Sequence, residues 1–390
     1  MDNDNPIPPL TRAEIDLNAL AHNFRELRRV TSKTSRIMAV VKADGYGHGA
    51  VKVSQTALAN GADFLAVARI SEAAQLRQSG INAPILLFGY CSPAYVDYLS
   101  TNDIRASINS LESARALSDE AVRQHKNLKS HIKIDTGMGR LGLMSDMSAL
   151  TPFPKSEMNR TIKEILDIAR MPGLQIEGIY THFARADSRD KTHALSQFNI
   201  FMDILTQLKK HSFEVEIRHA ANSAATIEMP ETHLDMVRPG IALYGLWPSN
   251  ETDREMISLK PVMSLKSCVI HVKEVPAGFK VSYGCTWESV RSTKIATIPL
   301  GYADGYERLL SSKGSMLVRG QRVPVVGTIC MDLTMLDVGC LENIDIEDEV
   351  VIIGKQGDNE ITADEIAGSI GTINYEIVSS LAPRVPRIYI

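Results

Sequence analysis

The chain contains no apolar run approaching the ~20 residues needed to cross a bilayer, which excludes a conventional membrane-spanning helix. Cysteine is scarce: Cys91, Cys268, Cys285, Cys330 and Cys340 are odd in number, widely spaced and form no C-x-x-C pair. Neither a disulfide framework nor a zinc site is therefore indicated. There is no basic excess, the formal net charge being -4, and so no footprint of a nucleic-acid binder. The acidic, proline-rich stretch Met1–Pro9 lacks the basic start and apolar centre of a signal peptide, which leaves the cytoplasm as the expected location. What is present is ordinary: 390 residues, 44% hydrophobic and 23% charged, the balance of a soluble enzyme or binding protein, with two domains expected from the length.

One stretch stands out, Val40-Val41-Lys42-Ala43-Asp44-Gly45-Tyr46-Gly47-His48-Gly49. Ile37–Val41 is short, unbroken and partly β-branched, as a strand covered on both faces would be. Lys42 then stands at its C-terminal end. A lysine in an apolar setting loses its proton more readily and becomes a nucleophile suited to Schiff-base chemistry. The bland alternative is a lysine that snorkels to the surface. Gly45-x-Gly47-x-x-Ala50 also matches a dinucleotide fingerprint, but the next apolar run, Phe64–Ala68, ends in Arg69 where that reading needs an acidic residue.

Further strand-like runs follow at Phe64–Ala68, Ile85–Gly89, Arg105–Ile108, His131–Asp135, Ile176–His182, Glu216–Ala220 and Asp235–Gly240. Helical segments lie mostly between them, among them Ser71–Ser79, Ser110–Gln124, Glu157–Arg170 and His193–His211. In the last, Leu195, Phe198, Phe201, Met202, Leu205 and Leu208 mark one buried face. Eight such units over about 240 residues have the rhythm of an α/β, TIM-type (β/α)8 barrel. From Ser258 the pattern changes to short β-branched runs broken by turns, apart from a helix capped by Thr362. The expected organisation is a barrel over 11–257 and a mainly β domain over 258–390.

Barrels of this kind place their chemistry at the C-terminal ends of the strands. The polar residues there are Lys42, Asp135 with Arg140, His182, His219 with Asn222 and Ser223, and Arg238. This set is cationic and lacks clustered carboxylates, so it suits an anion such as a phosphate ester and not a metal. Asn222 and Ser223 open a short helix, a phosphate site or a plain N-cap. Lys133 and Asp135 share a strand face, as a functional pair or a simple salt bridge.

The Lys42 stretch closely resembles the pyridoxal-phosphate attachment motif of the bacterial alanine racemase family. Supporting stretches run along the whole chain: Asp135–Gly142, Tyr180–Ala184, Ala221–Ser223, Arg238–Gly240, Ser282–Gly284, Gly301–Gly305, Cys330–Asp332 and Thr372–Glu376. The resemblance implies a barrel followed by a β domain, pyridoxal 5'-phosphate as cofactor, and interconversion of L- and D-alanine for peptidoglycan. It implies that Lys42 carries the cofactor through a Schiff base and serves as one base. Tyr283, from the partner subunit of a head-to-tail homodimer, matches the second base on the opposite face, as racemisation requires. A tyrosine with an ordinary pKa of about 10 is a poor base at neutral pH, so its setting is expected to lower that value.

By the same resemblance, Arg238 faces the pyridine nitrogen with His219 beside it. Tyr46, Ser223, Gly240, Ile241 and Tyr375 cradle the phosphate, and His182 and Asn222 join the cofactor site. Arg140 and the backbone N–H of Met331 bind the substrate carboxylate, and Lys133 matches a position carbamylated in many members. Thr328 departs from the pattern, standing where many members place an arginine, which leaves entry electrostatics and breadth of substrate open. A racemase for serine, lysine or a broad set, a related decarboxylase and a non-catalytic pyridoxal-phosphate carrier are the competing readings.

Overall fold

The computed structural model describes residues 9–143 and 155–390, so the signal-peptide argument on Met1–Pro9 rests on a segment that, up to residue 8, lies outside the described residues. The chain divides into two compact units. A β unit comprises the residues through Asn18, Tyr46–Gly49 and Pro261–Ile390, and a barrel unit comprises Ala19–Gly45 and Ala50–Lys260.

The first strand, β1 (Arg12–Ile15), lies inside the range that the sequence places with the barrel, yet it pairs antiparallel with Met263–Cys268 and parallel with Arg387–Tyr389 in the β unit. Four residues are too few for a periodicity to reveal which sheet they join, and the pairing is long-range.

Eight parallel strands close the barrel: β2 (Arg36–Val40), β3 (Phe64–Val67), β4 (Ile85–Leu87), β5 (Ile104–Ile108), β6 (Leu128–Lys133), β7 (Leu174–Tyr180), β8 (Ile217–His219) and β9 (Met236–Val237). Each overlaps one of the expected runs. β3 and β4 are buried along their whole length, which is why they read as unbroken apolar segments, and β5 is buried throughout although it carries Arg105 and Ser107. The helix Thr192–Lys210 forms, but its buried face is Ala194, Gln197, Phe201, Ile204 and Leu208, whereas Leu195 is exposed. Hydrophobic periodicity passes over Gln197 because it is polar. Its buried amide accepts from the Ala184 N–H and donates to the His182 carbonyl, tying the loop after β7 to the helix.

In the β unit the strands are β10 (Met263–Cys268), β11 (His271–Val275), β12 (Lys280–Val281), β13 (Trp287–Glu288), β14 (Thr293–Ile298), β15 (Ser315–Val318), β16 (Gln321–Pro324), β17 (Thr334–Asp337), β18 (Glu349–Gln356), β19 (Asn359–Ile361) and β20 (Arg387–Tyr389). One sheet runs β16-β15-β18-β10-β1-β20 with β19 on β18, a second β11-β14-β17, and β12 pairs with β13. Val275, Val281, Ile295 and Val326 form a small core beneath Phe279, Trp287 and Met335. Thr362 caps the helix Ala363–Ile370 by accepting the Glu365 N–H, as expected. Among the described residues no helix is long and apolar enough to cross a membrane.

Candidate active site

After β2 the backbone does something that sequence rules disfavour. Ala43 (φ 52°), Asp44 (φ 51°), Gly45 (φ 61°) and Tyr46 (φ 52°) are all left-handed, closing a turn immediately after Lys42. Each non-glycine residue held there costs about 1–2 kcal/mol, so the turn needs external ties. Glu72 supplies one: its Oε1 accepts the Ala43 N–H at 2.6 Å, and its Oε2 accepts the N–H groups of Ala68 and Arg69. Asp44 Oδ1 accepts the Ala50 N–H at 2.8 Å. The half-buried Lys42 amine is held below the ordinary lysine range, by burial first and then by the Arg140 charge, with Glu72 opposing.

Arg140 follows β6 on a loop built by Asp135. That carboxylate accepts four backbone N–H groups, from Gly137, Met138, Gly139 and Arg140. Asp135 is thus a loop-former, and of the charges acting on Lys133 it is the weakest. Burial, then Arg140 and Arg238, bring the Lys133 amine down to about 8.

At the centre of the barrel mouth Arg238 is 3% exposed. Its Nη2 donates to the carbonyls of Thr181 (2.8 Å) and Ala220 (2.9 Å), and its Nη1 donates to His219 Nδ1 (2.9 Å). A guanidinium can only donate, so His219 Nδ1 carries no proton. The His219 proton therefore sits on Nε2 and is donated to His131 Nδ1 at 2.8 Å. His131 in turn donates from Nε2 to Glu177 Oε2 at 3.1 Å. Both imidazoles are fully buried and held neutral: His219 by burial and the neighbouring Arg238, His131 by burial against the opposing pull of Glu177. Arg238 itself falls only to about 10 through burial and remains a cation. The His219 ring stacks on Tyr180, 4.7 Å between centroids.

Burial pushes the Glu177 carboxyl up, but hydrogen bonds from His131 and Arg105 outweigh it and hold it at about 2. A carboxyl depressed on folding adds stability above its ordinary value of 4.5 and loses it as the pH falls toward about 2. Glu177→Gln, which still accepts from His131, is expected to flatten the melting temperature between those two pH values; an unchanged acid limb in calorimetry would refute the assignment.

Asn222 caps the helix Ser223–Glu228 by accepting the Ala225 N–H, which frees Ser223 to bond elsewhere. The Ser223 hydroxyl oxygen accepts the N–H of Gly240 at 2.8 Å and that of Ala242 at 3.3 Å. Ser223, Gly240 and Ile241 are thereby brought together. The half-buried His182 is pushed well below the ordinary histidine range, by burial first and then by Arg238, Arg140, Lys133 and Lys42 in that order. Those four basic groups are therefore neighbours around one ring. The mouth is a concentration of positive charge that suits an anion such as a phosphate ester.

The remaining sequence candidates belong to the β unit. Tyr46 packs against Tyr375, ring centroids 6.2 Å apart. Met331 is half exposed, and its carbonyl accepts the Ala303 N–H. A Cβ on Gly301 would lie 2.3 Å from that carbonyl oxygen, which explains the glycine opening Gly301–Gly305. Tyr283 is 74% exposed within the single chain. Sequence reasoning missed Glu72, His131, Glu177 and Gln197. Their only signal was polarity within or beside apolar segments, which became meaningful once the barrel closed around them.

The chain matches the family models "Alanine racemase, N-terminal domain" over residues 15–248 and "Alanine racemase, C-terminal domain" over 262–389. An alanine racemase of Desulfosudis oleivorans is 51% identical over 377 residues, covering 97% of this chain and 96% of that protein. The crystal structure of alanine racemase from Bacillus anthracis with bound L-Ala-P superposes with a TM-score of 0.90 at 37% identity, covering 99% of this chain and 96% of the other. That of Bartonella henselae alanine racemase with covalently bound pyridoxal phosphate gives 0.84 at 29% identity, covering 98% and 100%. Matched by both family models over nearly its whole length, with a barrel followed by a β unit, the chain belongs to the alanine racemase family.

Proposed function

We propose that the chain interconverts L- and D-alanine with pyridoxal 5'-phosphate held on Lys42, and that Lys42 and Tyr283 are the two bases. The observation that carries this reading is the Lys42 amine itself, half-buried at a strand end, beside Arg140 and lowered in basicity, which is the state a Schiff-base lysine requires. Pyridoxal phosphate, when bound, supplies the electron sink that makes the alanine α-proton removable. The chain supplies the rest. Ser223, Gly240 and Ile241, with Tyr46, Tyr375 and Asn222, would hold the phosphate, Ser223 as a hydroxyl donor whose oxygen already accepts the Gly240 N–H. Arg238, a fixed cation backed by two neutral imidazoles, would meet the ring nitrogen and disfavour a proton there, while His182 lines the same mouth. Arg140 and the Met331 N–H orient the substrate carboxylate. Lys133, with an amine near 8, keeps a neutral fraction able to take up carbon dioxide as a carbamate.

A head-to-tail homodimer completes the reading, the Lys42 Nζ taking or returning the α-proton on one face and Tyr283 of the partner subunit acting on the other. Exposure of Tyr283, Val290, Met331 and Ile373 in the single chain supports such a covered surface. D-alanine made in this way serves peptidoglycan, and the five free cysteines suit a reducing cytoplasm.

Tyr283→Phe is expected to lower D-alanine formation from L-alanine by about 100-fold or more. Mixing Lys42→Ala with Tyr283→Phe subunits is expected to restore activity, since one site of the hybrid keeps both bases. Absence of turnover by pyridoxal-phosphate-loaded protein would sink the proposal, and another amino acid outranking alanine in a substrate panel would change its substrate.

A further inference from the structure

Tyr283 sits on an unusual piece of backbone. Ser282 has φ 66° and ψ -177°, a region that essentially only glycine populates, and Gly284 (φ 75°) and Cys285 (φ 50°) follow with positive φ. Ser282 and Cys285, which are not glycine, therefore lie where a free loop would not stay, while Gly284 between them adopts its conformation without strain. Within its own chain the Tyr283 side chain is 74% exposed, so what its own chain contributes to placing the hydroxyl is chiefly the backbone.

The restraint comes from the segment after Gly327. The Ser282 hydroxyl donates to the Thr328 carbonyl at 2.5 Å, and the Thr328 hydroxyl donates back to the Tyr283 carbonyl at 2.9 Å. Thr286 Oγ1 lies 3.4 Å from Thr328 Oγ1, and Cys330 Sγ lies 3.4 Å from Ser282 Oγ. The two segments approach closely because residue 327 has no side chain: a Cβ there would lie 2.6 Å from the Val281 carbonyl oxygen. Both are rooted in one apolar core, through Val281 and Val326. Thr328 is only 7% exposed, so its hydroxyl depends on these protein partners for its hydrogen bonds.

We propose that Ser282 and Thr328 form a reciprocal clamp that fixes the strained backbone of Tyr283, making Thr328 a positioning residue for the second base. The inference rests on the reading of Tyr283 as that base. Thr328 is then more than a missing charge. Its one short hydroxyl, unlike a long cationic side chain, bonds the carbonyl of the residue whose phenol must reach the α-carbon. Misplacement of a catalytic group by about 1 Å costs up to ~100-fold in rate.

The test uses the holoenzyme and two variants, Thr328→Val, which keeps shape and loses the hydroxyl, and Thr328→Ser, which keeps the hydroxyl. In the valine variant kcat/KM is expected to fall on the order of tenfold, equally for both enantiomers as the equilibrium demands. The primary isotope effect with α-deuterated alanine should rise for one enantiomer only, because one of the two proton abstractions is slowed. Amide hydrogen exchange across 283–285 should accelerate about tenfold at an unchanged melting temperature, and serine should restore all three. A valine variant with parental exchange and parental kinetics overturns the clamp. Faster exchange with parental kinetics, or a rate loss with isotope effects altered alike for both enantiomers, overturns the positioning role. Full activity in Tyr283→Phe would instead remove the two-base reading while leaving the exchange result standing, so the two failures are distinguishable.

Discussion

Lys42→Ala is expected to abolish racemisation, by at least about 1,000-fold, and to leave the protein as stable as before or more so at neutral pH. The first effect follows from the loss of both the cofactor attachment point and one base. The second follows from the sign of the shift on Lys42. Burial and the Arg140 charge lower its proton affinity in the folded chain, so the folded state disfavours the ammonium that the unfolded chain carries. A base shifted down on folding opposes folding at any pH below its folded value, and the opposition fades as the pH rises through its ordinary value of 10.5. Alanine removes the conflict. Functional sites commonly trade stability in this way. Melting the apoprotein at pH 7 and pH 10 checks it: the variant should gain on the parent at pH 7 and lose that advantage toward pH 10. Absorbance before and after borohydride should show no protein-linked chromophore in the variant, whereas retention of one would move the attachment to another lysine.

Arg238→Met has the largest expected structural consequence. The guanidinium is the sole described donor to His219 Nδ1, and it also serves the carbonyls of Thr181 and Ala220. Its loss leaves three buried acceptors unserved, at about 1–3 kcal/mol each. Relief from burying a cation opposes this, but that burden is modest, since Arg238 is still protonated up to about 10. The net expectation is a destabilisation of about 3 kcal/mol, or a fall in melting temperature of roughly 6–12 °C for a unit of this size. Activity should drop on the order of 100-fold. The His219 ring keeps its proton on Nε2, because Glu177, ionised at neutral pH, can only accept and so holds the hydrogen-bonded chain in its direction from the other end. Nitrogen-15 shifts of the two buried imidazoles check this: the His219 Nδ1 signal should move downfield on losing its donor while the protonated nitrogens stay where they were. An unchanged Nδ1 shift would mean that Arg238 does not serve that nitrogen.

Eight strands, the change of character near Ser258 and the cationic strand ends were all legible because each rests on short-range pattern. A strand covered on both faces is mostly apolar, admitting a polar residue such as Arg105 or His131 only where a partner serves it, and its end becomes polar where it meets the mouth. That logic alone marks Lys42, Arg140, His182, His219, Ser223 and Arg238 as candidates, without any likeness to a family. Other features depend on partners far along the chain. β1 carries no mark of the sheet it joins, Gln197 looks like an interruption of an apolar face, and Thr328 looks like an omission.

The sequence by itself therefore determined where the reactive groups lie along the chain and that they are basic, since residue type and strand period are local properties. Only the tertiary structure decided what each group can do. The left-handed turn after Lys42 is held by Glu72, 29 residues beyond the Ala43 amide it bonds, and the tautomers of His219 and His131 follow from an arginine that can only donate at one end and a carboxylate that can only accept at the other. The backbone of Tyr283 is pinned by a hydroxyl 45 residues away. Hydrogen-bond direction and burial are set by what the fold brings within about 3 Å, and no window of sequence contains both partners.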